Sequence, residues 1–154
     1  MNVYGPRQDY HGAYIAVIMK MLDRIDRGLP PVIYGDGTQA YDFVSVMDCA
    51  RANVLAMQAD TTDRFYNVGT GVKTTIGEVA NVLLELTGSD LEVEYQSAGM
   101  TFVKNRIGSP DRARDEIGFV AHTPLREGLK QLIDWRASHK AEVERRRQDV
   151  GIAS

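Results

Sequence analysis

The chain has 154 residues, of which 44% are hydrophobic and 25% charged, and its formal net charge is -3. This composition is typical of one globular domain or part of one, and the small charge disfavours a nucleic-acid partner, because phosphate neutralisation needs a dense excess of Lys and Arg. Since Cys49 is the only cysteine, neither a disulfide framework nor a cysteine-based zinc site is predicted within one chain.

The localisation prediction rests on hydropathy and cysteine content. No apolar run approaches the roughly 18 residues of a membrane span, and the N-terminus lacks the charged and apolar regions of a signal peptide. A single cysteine fits a reducing compartment. We therefore expect a cytoplasmic protein without a membrane partner.

The first predicted elements are a strand end and a helix. Residues 2–8 read as the end of a strand that runs into a Gly-Pro loop, which is an unusual start for a domain and suggests a missing neighbour. Apolar residues at helical spacing predict a helix over 13–27, and Gly28 and Pro30 supply its end.

The stretch 33–48 predicts a strand, a glycine turn, a second strand and a helix with Asp48 as its N-cap. The turn contains Gly35-x-Gly37-x-x-Ala40, which has the spacing of a dinucleotide-binding fingerprint. That fingerprint must open a helix whose N-terminus faces the pyrophosphate, whereas here the β-rich sequence YDFVSV follows. The sequence therefore favours an ordinary turn.

A second glycine loop follows a predicted strand over 64–68. Thr75 and Glu78 have the spacing of a capping box, which predicts a helix that ends at Gly88. A nucleotide-binding loop is not favoured, because Lys73 lies too close to the glycines for a Walker A motif. We interpret the glycines of 69–71 as residues that allow close packing.

The last third of the chain predicts an edge strand, an irregular segment and two helices. The strand covers 91–95, the irregular segment 96–108, Ser109-Pro110 and Gly118 bound one helix, and Thr123-Pro124 begins another that continues through Trp135. Residues 139–154 form a charged tail, predicted as a helix end or disordered segment. Because strands alternate with helices, the sequence predicts an α/β fold with mainly parallel pairing.

The chain offers little support for catalysis by its own residues. Ser45 and Ser109 lack the G-x-S-x-G context of a nucleophile, and we interpret Asp42 and Asp48 as residues that hold a turn or cap a helix rather than as acid–base groups. No metal site is predicted, because no ligand spacing joins the three histidines, His11, His122 and His139.

Five segments, in order, resemble the C-terminal half of the NAD-dependent sugar-nucleotide epimerase/dehydratase family, which belongs to the extended short-chain dehydrogenases/reductases. The segments are NVYGPRQ at 2–8, IYGDG at 33–37 with Asp42-Phe43 and Asp48, NVGTG at 67–71, IGF at 117–119 and LREGL at 125–129. Order and spacing agree up to about residue 135.

The resemblance implies a small substrate-binding lobe, with mixed but mainly parallel strands and helices, detached from a Rossmann domain. We expect this lobe to span 1–138 and the tail to span 139–154. Family members carry an NAD(P) loop and a catalytic Tyr-x-x-x-Lys pair before the stretch that resembles 2–8. This sequence has neither, since no lysine has a tyrosine four residues before it.

The chain therefore resembles a fragment of a larger enzyme, and no catalytic residue is expected in it. The resemblance implies NAD or NADP in the parent enzyme, a homodimeric parent, and no cofactor bound to this fragment.

The resemblance also implies a substrate site for a nucleotide-sugar such as a UDP- or dTDP-sugar. Asn2 matches an asparagine that hydrogen-bonds the substrate near its pyrophosphate or sugar. Ile33 and Tyr34 match the segment beside the nucleotide base. Arg106 resembles an arginine that clamps phosphate, although Lys104 and Arg106 could also be plain solvated residues.

Two features depart from the family. Many members carry R-x-G-D before the penultimate helix, and residues 99–102 show no such pattern. Many members have arginine immediately before Asp42-Phe43, where this chain has Tyr41, which supplies no charge. Phosphate binding is then expected to involve Arg106, Lys104 or Arg7, or the substrate differs.

The sequence thus predicts the nucleotide-sugar-binding lobe of an epimerase or dehydratase, inactive alone, with decarboxylase and reductase chemistry left open for the parent. The alternative is a free-standing, non-catalytic module that binds nucleotide-sugars or a protein. A lobe detached from its Rossmann domain should also expose an apolar patch and self-associate through it.

Overall fold

The computed structural model describes residues 1–8, 17–97 and 103–148, and within these ranges the chain forms seven short strands and six helices. The strands are β1 Asn2–Tyr4, β2 Val32–Tyr34, β3 Ala40–Tyr41, β4 Phe43–Ser45, β5 Thr74–Thr75, β6 Glu94–Gln96 and β7 Asn105–Arg106. The helices are α1 Val17–Asp26, α2 Val46–Gln58, α3 Ile76–Thr87, α4 Asp111–Ile117, α5 Leu125–Ser138 and α6 Lys140–Gln148.

The described strands form three small sheets. β1 pairs with β4 and β2 pairs with β6, both in parallel, while β3 lies between β5 and β7. Within this third sheet β3 is antiparallel to β5 and parallel to β7. Three of the four pairings are therefore parallel, which confirms the predicted α/β fold with mixed, mainly parallel strands.

The main core is helical and lies where α1, α3 and α5 pack together. Their buried side chains include Ile18, Leu22, Val79, Leu83 and Leu129. The described part of the first predicted helix is confirmed as Val17–Asp26, and residues 13–16 lie outside the described residues. Burial of these aliphatic side chains is the largest favourable term that holds the lobe together.

Helix α3 begins and ends where its sequence predicted. The Thr75 hydroxyl accepts a hydrogen bond from the Glu78 backbone N–H at 3.1 Å, and the Glu78 carboxylate accepts one from the Thr75 N–H at 2.6 Å. Gly88 ends the helix with a φ of 62°, in the left-handed region that glycine adopts without strain. Both local signals are confirmed.

Helix α2 begins earlier than predicted. Ser45 is the N-cap, and its hydroxyl accepts from the Met47 N–H at 3.2 Å. Val46 is therefore the first helical residue rather than the end of a strand, and the prediction of Asp48 as N-cap was wrong. Asp48 lies in the first turn with both carboxylate oxygens bound to another part of the chain.

Three other element predictions need correction. Residues 64–68 form no strand but an irregular segment, because no neighbouring strand pairs with them. The strand predicted over 91–95 is shifted to Glu94–Gln96, where it pairs with β2. Pro110, not Ser109, is the N-cap of α4, although the Ser109 hydroxyl still accepts from the Asp111 N–H at 3.2 Å.

The charged tail contains a docked helix, α6. Val143 is buried in the main core, and Arg147 bonds to Asp23 at 2.7 Å and Asp26 at 3.0 Å on α1. The first part of the tail is thus ordered, since these ion pairs and one apolar contact offset the cost of fixing it. Residues 149–154 lie outside the described residues, and the domain boundary at 138 stays a prediction.

An apolar stripe is exposed on α2. Met47, Val54 and Met57 are spaced seven and three residues apart, which places them on one face of the helix, and Met57 is 85% exposed. Phe65, in the irregular segment, is 90% exposed. These exposed side chains agree with the expected apolar face, whereas self-association through it stays a prediction.

Candidate functional site

The turn between β2 and β3 is not a dinucleotide-binding loop. Gly35 and Gly37 have positive φ values of 91° and 77°, and strand β3 follows rather than a helix. The Asp36 carboxylate accepts from the Thr38 hydroxyl at 2.6 Å and the Thr38 N–H at 2.9 Å, which lowers the pKa of Asp36. The turn is therefore closed by its own side chains, without a helix N-terminus to bind a pyrophosphate.

The second glycine loop, 69–71, is held by Asp42. This carboxylate is fully buried and accepts from the Thr70 N–H at 2.9 Å, the Thr70 hydroxyl at 2.6 Å and the Gly71 N–H at 2.9 Å. The backbone donors that could cradle a phosphate are thus already bonded to protein. Neither glycine loop fits a nicotinamide dinucleotide, and the prediction that Asp42 holds a turn is confirmed.

Asp48 also has an anchoring role, on the segment that precedes α5. It accepts from the backbone N–H groups of His122 and Thr123, both at 3.0 Å, and from the Arg51 guanidinium at 3.1 Å. Burial raises the pKa of Asp48, but these hydrogen bonds together outweigh it and hold the pKa below its ordinary value. The carboxylate is therefore a charged structural anchor and not a proton donor at neutral pH.

Tyr41, Thr74 and Arg106 share one face of the third sheet, and with Lys104 they are here named the cationic face. Tyr41 lies directly opposite Arg106 on β7 and opposite Thr74 on β5, and paired residues project to the same side of a sheet. Lys104 lies two residues before Arg106, in the bend that leads into β7. The sheet thus brings one cation beside two hydroxyls, with a second cation next to them along the chain.

The two cations are exposed, and no described carboxylate forms an ion pair with either of them. Within the described parts of the chain, neither Lys104 nor Arg106 forms an ion pair or a side-chain hydrogen bond. The hydrogen bonds from Thr38 are the main cause of the lowered pKa of Asp36, and the nearby charge of Lys104 lowers this pKa further. An exposed guanidinium beside an exposed ammonium is an arrangement that can bind a phosphate or diphosphate.

Tyr41 fastens the strand that carries these cations. Its hydroxyl donates to the Val103 carbonyl at 3.0 Å, and its ring packs edge-on against Phe43 with centroids 6.2 Å apart. Tyr41 therefore contributes a hydrogen bond and an aromatic surface at the position where the family resemblance would imply an arginine.

Asn2 lies beside the cationic face through a shared neighbour. Its backbone N–H donates to the Asp42 carbonyl at 2.8 Å, while the Asp42 N–H donates to the Arg106 carbonyl at 3.0 Å. Four of the seven predicted substrate residues, Asn2, Tyr41, Lys104 and Arg106, are thus positioned by the same stretch of β3 and β4.

The other three predicted substrate residues lie elsewhere. The Ile33 side chain is buried in the main core, whereas the Tyr34 ring is 51% exposed and its carbonyl accepts from the Gln39 side-chain amide. Arg7 is exposed with a φ of 65°, and its carbonyl accepts from Arg146 on α6 at 3.0 Å. Ligand contact at β2 is therefore open to Tyr34 but not to the Ile33 side chain.

A shallow groove of about 480 Å³ begins at Ile107, the residue after Arg106. It is lined on one side by the loop that Asp42 holds and on the other by the start of α4: Thr70, Gly71, Ile107, Gly108, Ser109, Pro110, Asp111 and Arg114. A larger cavity of about 500 Å³ lies among α1, α3, α5 and α6, but its arginines pair with Asp26.

Sequence reasoning missed Thr74 and Gln39. Thr74 precedes the capping-box residue Thr75, and the pairing of β5 with β3 that brings it to the cationic face has no local signal. Gln39 lies two residues after the glycine turn and is buried, although it is polar.

The described ranges contain neither a candidate metal cluster nor a candidate membrane span. No cluster of three or more His, Cys, Asp or Glu side chains is placed to hold a metal ion there. None of the helices in those ranges has both the length and the apolar character needed to cross a bilayer.

Comparison with known proteins gives one family match and many relatives. The sequence model of the NAD dependent epimerase/dehydratase family matches residues 1–69. UDP-glucose 4-epimerase of Mycolicibacterium smegmatis is 31% identical over 134 residues, which cover 87% of this chain and 42% of that protein.

Solved structures of UDP-glucose 4-epimerases are also similar to this chain. UDP-glucose 4-epimerase of Thermotoga maritima with UDP-glucose is 36% identical with a TM-score of 0.83, over 89% of this chain and 44% of that one. The Thermus thermophilus UDP-glucose 4-epimerase complex with NAD is 31% identical with a TM-score of 0.78, over 90% of this chain and 45% of that one. The chain thus spans less than half the length of the relatives it matches.

Proposed function

The chain belongs to the NAD-dependent epimerase/dehydratase family, and on that premise we propose that it is the nucleotide-sugar-binding lobe of a sugar-nucleotide epimerase or dehydratase. The observation that carries this proposal is the pair of exposed cations on the cationic face, Lys104 and Arg106, which form no ion pair with the described residues. A diphosphate carries the negative charge and the acceptor oxygens that these two side chains would bind.

Asn2 and Tyr34 complete the proposed site. The Asn2 N–H donates to the carbonyl of Asp42, whose own N–H donates to the Arg106 carbonyl, and this closeness supports a contact of the Asn2 amide with the sugar or pyrophosphate. Tyr34 has a half-exposed ring that can pack on a nucleobase. UDP-sugars are the first candidates, because UDP-glucose is the ligand of the Thermotoga maritima relative.

Chemistry is assigned to residues outside this chain. The sequence contains no Tyr-x-x-x-Lys pair, and neither glycine loop fits a dinucleotide. The hydride exchange with NAD or NADP is therefore proposed for a Rossmann half of the parent enzyme. The chain by itself is expected to show no epimerase activity with NAD and UDP-glucose, and turnover by the purified chain would overturn this part of the proposal.

Binding is tested by calorimetry with UDP. The wild-type chain should bind UDP saturably, and Arg106→Ala should weaken binding by about tenfold or more, because a charge-assisted contact contributes roughly 1.5–3 kcal/mol. Arg145→Ala is the matched control, since Arg145 is an exposed arginine on α6 and should leave the affinity unchanged. Absence of saturable binding, or equal losses in both variants, would contradict the proposal.

The exposed stripe on α2 is proposed as the face that a Rossmann half covers. The isolated chain should then self-associate, because the contact would bury Met47, Val54 and Met57 away from water. Light scattering should report oligomers that dissociate in the Met57→Glu variant. A monodisperse wild-type monomer at high concentration would count against this assignment.

A further inference from the structure

The segment that carries the two candidate phosphate ligands joins the sheet through a short edge strand. Strand β7 has only two residues and lies at the edge of its sheet. The backbone hydrogen bonds that tie this segment to the β3 side include one from the Ala40 N–H to the Lys104 carbonyl at 2.8 Å and one from the Asp42 N–H to the Arg106 carbonyl at 3.0 Å. Such short edge strands open easily.

A side chain adds a further attachment. The Tyr41 hydroxyl donates to the Val103 carbonyl at 3.0 Å, one residue before Lys104. The ring cannot easily swing away, because it packs edge-on against the buried Phe43 ring. Tyr41 therefore fixes the start of the cationic segment relative to β3.

The electrostatics of the segment make this attachment useful. Lys104 and Arg106 lie two residues apart, and no carboxylate of the described part of the chain forms an ion pair with either, so their charges repel. Repulsion favours conformations in which the segment moves away from β3. A ligand that needs both cations at once would then have to restore the arrangement on binding, at a cost in affinity.

We propose that Tyr41 is a positioning residue, which holds Val103 so that Lys104 and Arg106 are already arranged for a diphosphate before it binds. The inference rests on the proposed nucleotide-sugar function and goes beyond it, because it assigns an uncharged side chain a role that acts through the backbone of the segment carrying the two cations. Tyr41 makes no charged contact of its own, and it instead keeps the two cations, Lys104 and Arg106, in the arrangement that a diphosphate needs.

The test compares Tyr41→Phe with wild type in calorimetric titrations against three probes: UDP, inorganic pyrophosphate and uridine. The variant keeps the ring against Phe43 and loses only the hydrogen bond, so it should fold. We expect affinity for UDP and for pyrophosphate to fall about fivefold, the factor for one lost hydrogen bond, with uridine binding unchanged. Amide hydrogen exchange at Asn105 and Arg106 should become faster.

Tyr66→Phe is the matched control. The Tyr66 hydroxyl donates to Glu116 at 2.9 Å on α4, so its loss removes a comparable bond away from β7. This control should leave the affinity for all three probes unchanged. A merely structural role of Tyr41 would lower the affinities for uridine and pyrophosphate together.

The outcomes separate the two proposals. If wild type binds UDP, and Tyr41→Phe binds UDP and pyrophosphate as tightly as wild type does, the role of Tyr41 is overturned while the proposed function stands. If wild type binds neither UDP nor pyrophosphate, the proposed function fails and the ligand role of Tyr41 fails with it. Loss of diphosphate affinity with retained uridine affinity supports both.

Discussion

Two groups of cations in this lobe differ in their burial and in their carboxylate partners. Among the helices, Arg136 is 5% exposed and contacts Asp23 and Asp26, both at 2.6 Å, while Arg147 joins the same two carboxylates. On the cationic face, Lys104 and Arg106 are exposed and pair with no carboxylate of the described residues. The helical charges are enclosed by their partners, and the sheet charges are left to solvent.

The difference separates charges that hold the fold from charges that are available to a ligand. A buried cation must keep its carboxylates, because losing one partner leaves the other charge desolvated and unpaired. An exposed cation is stabilised by water, so it adds little to the fold and can exchange water for phosphate. Four variants and one matched control test this division, with the variants in order of the effect expected.

Arg136→Met should cause the largest loss of stability. It removes the guanidinium that links α5 to α1, so that among the described ion pairs of Asp23 and Asp26 those with Arg147 remain. We expect the free energy of unfolding in urea to fall by about 3 kcal/mol, the low end for a broken buried ion pair, since Arg147 remains. A loss below about 1 kcal/mol would contradict the structural role.

The matched control is Arg126→Ala. Arg126 bonds to Glu85 at 2.6 Å between α5 and α3, but both side chains are more than half exposed. Exposed pairs contribute only about 0.2–1 kcal/mol, so this variant should be nearly as stable as wild type. If both variants lost equal stability, burial would not be what distinguishes the two groups of charges.

Asp42→Asn should have the next largest effect. Asp42 is a buried anion satisfied by three donors of the 70–71 loop rather than by a cation. An amide replaces one acceptor oxygen with a donor, which would face the Gly71 N–H. We expect a loss of about 2 kcal/mol in urea unfolding and faster amide exchange at Thr70 and Gly71. Unchanged exchange at these two residues would contradict the anchoring role.

Asp48 adds a pH dependence with a definite sign. Its folded pKa lies below the ordinary value of 3.8, so the unfolded chain binds the proton more readily. The stability it contributes is present above the unfolded pKa and is lost as pH falls through the folded pKa. Between about pH 5 and 2, wild type should therefore lose more stability than Asp48→Asn, as measured by urea unfolding at each pH. Parallel pH profiles would contradict this.

The sequence predicted those parts of the fold that depend on neighbouring residues. The capping box of Thr75 and Glu78 and the end of α3 at Gly88 involve contacts within a few positions, and both are confirmed. The start of α2 was misplaced because two polar residues, Ser45 and Asp48, could each cap it. The choice depends on His122 and Thr123, 74 and 75 residues away, whose N–H groups bond to Asp48.

The candidate site shows the same limit. The family resemblance directed attention to Tyr41, Lys104 and Arg106, but no local pattern predicts that β3 and β7 pair with Tyr41 opposite Arg106. Likewise, hydropathy could not predict that α6 docks, because its one buried apolar residue, Val143, is supported by ion pairs with α1. Contacts across long sequence separation decide both.

The smallest stability effect is expected for the double variant Lys104→Ala with Arg106→Ala. Neither side chain is enclosed, and their mutual repulsion opposes the pairing of β7 with β3. The free energy of unfolding should therefore change by less than about 0.5 kcal/mol, while saturable UDP binding disappears in calorimetry. A large loss of stability would mean that these cations hold the sheet together, and the division between structural and available charges would then fail.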